Sequence, residues 1–157
     1  MKSYKNINDP QRSFVSAYVE KHVEKNQFFN KVKKVIDWIT LDNELKAVYT
    51  KGLTDRGAKA YAPLLLFKML LISEWYGLSD TQTESMVNDS LSAMKFCDLT
   101  IEDSVPGHST LSRFKKELRD KGAHDRILSI FSRQLESQNL HIENGSARVD
   151  ARLKKDS

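Results

Sequence analysis

The segment from His108 to Arg119 carries residue types suited to gripping a nucleic-acid backbone. At helical spacing Leu111, Phe114 and Leu118 fall on one stripe, which must be buried. The first turn then presents Ser109, Thr110, Ser112 and Arg113, and the later exposed face presents Lys115, Lys116 and Arg119. Short polar side chains near a helix N-terminus can reach base edges or phosphates, while cations further along neutralise the backbone. Ser109 is the expected N-cap, and the helix should run to about Lys121. The same pattern fits an ordinary capped surface helix equally well.

Other reactive residues form no constellation. His108, His124 and His141 lack metal-ligand spacing, so no metal site is expected in this chain. His108 and Ser109 are neighbours without a third partner for a hydrolase triad, and the glycines never form a phosphate-cradling loop. Cys97 is the only cysteine, which excludes an internal disulfide and fits a reducing cytoplasm. Its setting after Met94-Lys95-Phe96 suggests a small buried hydrophobe in preference to a reactive thiol.

The elements that must position the basic segment read as helices. Phe14, Val15, Tyr18, Val19, His22 and Val23 follow helical spacing, as do Phe28, Val32, Val35, Ile36 and Ile39, whose opposite face bears Lys31, Lys33 and Lys34. Residues 51–59, with Gly52 and Gly57, read as a loop. Pro63 suits the first turn of an apolar core helix over 63–76, which Gly77 ends. Ser79 and Gln82 have capping-box spacing and start a helix over 80–89. A short helix over 91–97, an irregular stretch over 98–108, and a helix from beyond Gly122 to about Gln138 follow. The core helix and the 80–89 helix could support the basic one as a helix-turn-helix, although the 98–108 connection exceeds the usual 3–4 residue turn.

After Asn139 the period changes. Leu140 to Glu143 alternates, Asn144-Gly145 is a preferred pair for a two-residue hairpin turn, and Ala147 to Leu153 alternates again. Val149, Ala151 and Leu153 should then share one face. A lone hairpin is marginal in water, so the rest of its sheet is expected to be missing and the tail from Leu140 to be disordered or sticky. The expected fold class is all-α with a short C-terminal β-hairpin.

Composition agrees with a folded domain: 39% hydrophobic and 29% charged residues allow a core. The N-terminus lacks the apolar run of a signal peptide, and the strongest apolar run, from Ala62 to Ile72 and broken by Lys68, falls short of the roughly 20 residues of a membrane span. The net charge of +4 is unevenly placed. Residues 1–60 carry 12 Lys and Arg against 7 acids, residues 61–107 carry 2 against 7, and residues 108–157 carry 11 against 7. Basic ends flanking an acidic middle suit phosphate contacts, though solvated helix faces look alike.

Two ordered strings carry a family resemblance. Tyr61-Ala62-Pro63-Leu64-Leu65-Leu66-Phe67-Lys68-Met69-Leu70-Leu71 is followed by Glu74-Trp75-Tyr76-Gly77-Leu78-Ser79-Asp80. Later come Phe96-Cys97-Asp98-Leu99 and Asp103-Ser104-Val105-Pro106-Gly107-His108-Ser109-Thr110-Leu111-Ser112-Arg113-Phe114, running on through Gln134-Leu135-Glu136 to Val149-Asp150-Ala151. Together they resemble the N-terminal domain of insertion-sequence-five-type bacterial transposases over about residues 60–151. The resemblance implies an N-terminal arm (1–60), a helical DNA-binding domain (61–139) that binds the double-stranded terminal inverted repeats, and the start of an RNase-H-like domain (140–157). It implies a homo-oligomer, and an Asp-Asp-Glu triad holding Mg2+ or Mn2+ in the full-length family, with Asp150 as the first acid. Arg152 stands where the family usually has Thr, and the other two acids are expected beyond Ser157, so the chain is expected to bind DNA without cutting it.

Other functions compete with that reading. A second chain could supply the missing carboxylates, or the product could be a nonfunctional remnant of a transposase gene. A helical protein–protein module is the third, with exposed aromatics among Phe28, Phe29, Trp38 and Tyr49 serving a partner.

Overall fold

A computed structural model of the chain describes residues 27–49, 61–146 and 148–156. Among these residues the order is α1 (Gln27–Val35), α2 (Trp38–Val48), α3 (Pro63–Tyr76), α4 (Asp80–Asp89), α5 (Leu91–Phe96), α6 (His108–Asp120), α7 (His124–Glu136), β1 (Leu140–Glu143) and β2 (Arg152–Lys155). The chain is thus mostly helical with one antiparallel hairpin. The expected stripe from Phe14 to Val23 and the 51–59 loop lie outside the described residues.

α3 is the axis of the molecule. Pro63 occupies its first turn, where a missing N–H costs nothing. Gly77 ends it at φ 62°, a left-handed conformation that glycine adopts without a Cβ penalty. Between them Leu66 to Ser73 is buried without interruption, so the helix is covered on every side. α4 starts on the expected capping box: the Gln82 N–H donates to Ser79 Oγ at 3.1 Å and the Ser79 N–H donates to Gln82 Oε1 at 2.9 Å.

An aromatic cluster joins α3 to its neighbours. Phe28 meets Trp75 edge-on at 5.0 Å, Phe29 stacks on Phe96 at 5.2 Å, and Trp75 lies 5.9 Å from Phe131. Phe28, Phe29 and Tyr49 are therefore core residues, and Trp38 is half-buried with its indole N–H donating to the Lys33 carbonyl at 3.0 Å. Phe28, Phe29 and Tyr49 thus offer no exposed aromatic surface to a partner, contrary to the expectation above, and Trp38 is only partly accessible. α1 also stops short of the stripe read for it. Asp37 caps a new helix, and Ile39 lands on the outside, 75% exposed.

A charge lies inside this core. Lys68 on α3 is 2% exposed, reaches Asp98 at 2.7 Å and sits 4.6 Å above the Trp38 ring. Asp98 also pairs with Lys33 of α1. The two ammonium groups hold its carboxyl below the usual carboxylate range, against a burial effect that pushes it up. Cys97 beside it is buried, and burial pushes its thiol up to about 12, which fits the small-hydrophobe reading.

The hairpin differs from expectation. β1 and β2 pair with Leu140 opposite Lys155 and Glu143 opposite Arg152, leaving residues 144–151 as the connection. Asn144-Gly145 is therefore no two-residue turn. Gly145 is required for close approach, since a Cβ there would lie 2.4 Å from the Val149 carbonyl oxygen and 2.5 Å from the Ala151 nitrogen. Val149 turns out to be exposed while Ala151 is buried, so the two do not share a face. Nor does the hairpin stand apart. The Gly145 N–H donates to the Trp75 carbonyl at 2.8 Å and the Ala151 N–H donates to the Tyr76 hydroxyl at 3.2 Å. Leu140, Ile142 and Leu153 pack on the common core. The loose tail expected from Leu140 onward is a docked element.

Candidate nucleic-acid interface

α6 is held by its apolar stripe, as its spacing requires: Leu111, Phe114 and Leu118 are fully buried. Phe114 meets Tyr49 edge-on at 5.1 Å. Gly122, at φ 67°, turns the chain after the helix, with the Ala123 N–H donating back to the Leu118 carbonyl at 2.7 Å.

Its N-terminus is capped from another helix. Gly107 is the N-cap and offers no side chain, so Ser109 lies inside the first turn and not before it. Glu84 of α4 does the capping: its Oε1 accepts the His108 N–H at 2.8 Å and lies 2.9 Å from His108 Nδ1. The His108 side chain, then its backbone N–H, holds the Glu84 carboxyl below the usual range. A carboxylate of the protein itself thus occupies the start of this helix. Glu84 lies 24 residues from His108, and nothing local in the sequence marks it.

Seven residues of α6 were singled out from the sequence, and the helix sorts them. Ser109, Ser112, Arg113, Lys116 and Arg119 are exposed and recur at steps of three and four, which puts them on one stripe. Thr110 is half-buried at its flank. Lys115 points inward. Its side chain is 11% exposed and its ammonium donates to Asp80 at 2.6 Å and to Ser73 Oγ at 3.0 Å. It pins α6 to the end of α3 and the start of α4 and is unavailable to an external ligand. Of the outward cations, Lys116 pairs with Asp120 at 2.7 Å across one turn, both groups in solvent, an interaction worth little.

α4 packs against both α5 and α6. The connection from α5 to α6 is ordered by its own contacts, with the Thr100 N–H donating to Asp103 Oδ2 at 2.8 Å and Pro106 buried.

Asp150 is exposed and precedes β2, between Arg148 and Arg152. Among the described residues no group of three His, Cys, Asp or Glu side chains could hold a metal ion. Two divalent ions about 4 Å apart need several converging carboxylates, and the surroundings of Asp150 do not fit them. A cleft of about 380 Å³ between α3, α7 and β1 is lined by Leu71, Trp75, Phe131 and Leu135. Its His141 is committed to Asp156.

The family model described as Transposase domain (DUF772) matches residues 17–117. The chain belongs to this transposase-domain family. The match takes in α1 to α5 and most of α6, including Ser109, Ser112, Arg113 and Lys116. Within the matched residues lie the outward stripe up to Lys116 and the Glu84 and Lys115 contacts that orient it, while Arg119 lies just beyond them. No solved structure matches the chain. No described helix is long and apolar enough to cross a membrane.

Proposed function

We propose that the chain is the DNA-binding part of an insertion-sequence-five-type transposase. It binds the double-stranded terminal inverted repeats of its element through the outward face of α6. The observation that carries this reading is the stripe of Ser109, Ser112, Arg113, Lys116 and Arg119 on a helix held at its first turn and its middle, in a chain of the transposase-domain family. Hydroxyls and guanidinium groups on one rigid face can combine base-edge and phosphate contacts. Thr110 sits at the edge of that face and Lys115 supports it from within. Asp150 alone cannot hold the Mg2+ or Mn2+ pair of a strand-transfer centre, so cleavage forms no part of the proposal.

The test is binding of the purified chain to duplexes bearing the element's inverted repeat, against shuffled duplexes, at moderate salt. Arg113→Ala with Lys116→Ala should weaken repeat binding at least tenfold, about 1.4 kcal/mol. Equal affinity for repeat and shuffled DNA in the parent chain would defeat the proposal.

A further inference from the structure

A second cationic surface lies on other elements. β2 packs alongside α1, and Lys31, Lys34, Arg152 and Lys155 are exposed there, with Lys154 half-buried. Within α1 the buried side is Phe28, Phe29, Val32 and Ile36. Lys33 leans to one flank of it, where Asp98 and the Lys95 carbonyl receive its ammonium. Lys31 and Lys34 lie around the other side of the helix.

These cations are uncommitted. Among the described residues none of Lys31, Lys34, Arg152, Lys154 and Lys155 has an ion-pair partner. Of the nearby acids, Asp156 is bound to His141, while Glu143 stands opposite Arg152 in the ladder. By contrast Lys33, Lys68, Lys115, Lys116, Lys121 and Arg126 all have carboxylate partners. Lys31, Lys34, Lys154 and Lys155, left without a carboxylate partner on two packed elements, repel one another, a cost that a polyanion removes.

We propose that α1 and β2 form a second DNA-contacting face that binds the phosphate backbone without reading sequence. The inference rests on the reading of the chain as a DNA-binding protein. Lysines dominate the face, and an ammonium is a point charge suited to phosphates, whereas the α6 stripe has the guanidinium groups that read guanine edges. The hairpin is docked onto α3 through Gly145 and Ala151 and β2 lies beside α1, so the charges sit on ordered elements and not on a loose tail.

The experiment measures affinity for a mixed-sequence duplex of about 30 base pairs over a range of salt, where each neutralised phosphate contributes about 0.9 to the slope of log K against log salt. Lys31→Ala, Lys34→Ala, Lys154→Ala and Lys155→Ala together should reduce the magnitude of that slope by about 3.6. The matching fourfold Lys→Arg variant should keep it, which separates charge loss from misfolding. A slope unchanged by the alanine variant overturns the inference, as does an arginine variant that fails along with it. Binding of these lysines to anionic vesicles with no loss on duplex DNA overturns it too. Arg113→Ala with Lys116→Ala in parallel keeps the two readings apart. Should that pair leave repeat preference untouched while the alanine set loses slope, the α6 reading fails and this one stands.

Discussion

Lys68 shows what a single buried charge demands of its surroundings. It is held by one carboxylate, Asp98, and by the faces of Trp38 and Phe96. Removing the charge and removing its partner should have unequal effects. Lys68→Met replaces the cation by an apolar side chain of similar length and should cost little, because desolvation of the ammonium disappears with the ion pair. Asp98→Asn keeps a residue tolerant of the left-handed backbone found there, φ 59°, but leaves the ammonium buried without its counter-ion. That variant should be the more damaging, by about 3 kcal/mol. Urea denaturation of both variants checks the order, and equal losses would show that Asp98 does not neutralise Lys68. The sequence placed Lys68 as a break in an apolar run but gave no sign of Asp98, which lies 30 residues away.

α6 is oriented by side chains from other elements. Glu84 acts on its first turn and Lys115 reaches out from its middle to Asp80 and Ser73. The Glu84 carboxyl is held below the usual range. Its contact therefore stabilises the fold fully above the unfolded value, about pH 4.3, and is lost as pH falls through the lower folded value. Glu84→Gln should accordingly lower the unfolding midpoint near pH 6, and the gap from the parent should close as pH drops toward about 3. Denaturation curves at a series of pH values read this directly, and a gap independent of pH would mean that the charge is irrelevant. At this scale the sequence was legible wherever the signal was local. Pro63 and Gly77 bounded α3, Ser79 and Gln82 started α4, and Leu111, Phe114 and Leu118 gave the inner side of α6. It misled where distant groups decide. Lys115 looks like any surface lysine until Asp80, 35 residues away, is in place, and Ser109 looks like a cap until Gly107 and Glu84 take that role.

Among the described residues one core runs through all seven helices and the hairpin, from Phe28 to Ala151. Its reach could not be read from periodicity, because Asn144-Gly145 carries the local mark of a tight turn and only the Trp75 and Tyr76 contacts show otherwise. Tyr76→Phe tests how far the hairpin depends on that seam. It removes the acceptor of the buried Ala151 N–H, an orphan worth about 1–3 kcal/mol. Amide exchange at Ala151 and tryptic cleavage at Arg148 and Arg152 should both quicken, while the Trp75 environment stays native. Unchanged exchange at Ala151 would show that packing alone holds the strand. The same seam also has a mechanical meaning. Two consecutive residues at the end of α3, Trp75 and Tyr76, take hold of the hairpin at both ends of its connection. A pull applied at residue 156 is therefore delivered to the central helix and not absorbed in slack chain. Orientation at the C-terminal end is geared to the axis on which α6 is mounted.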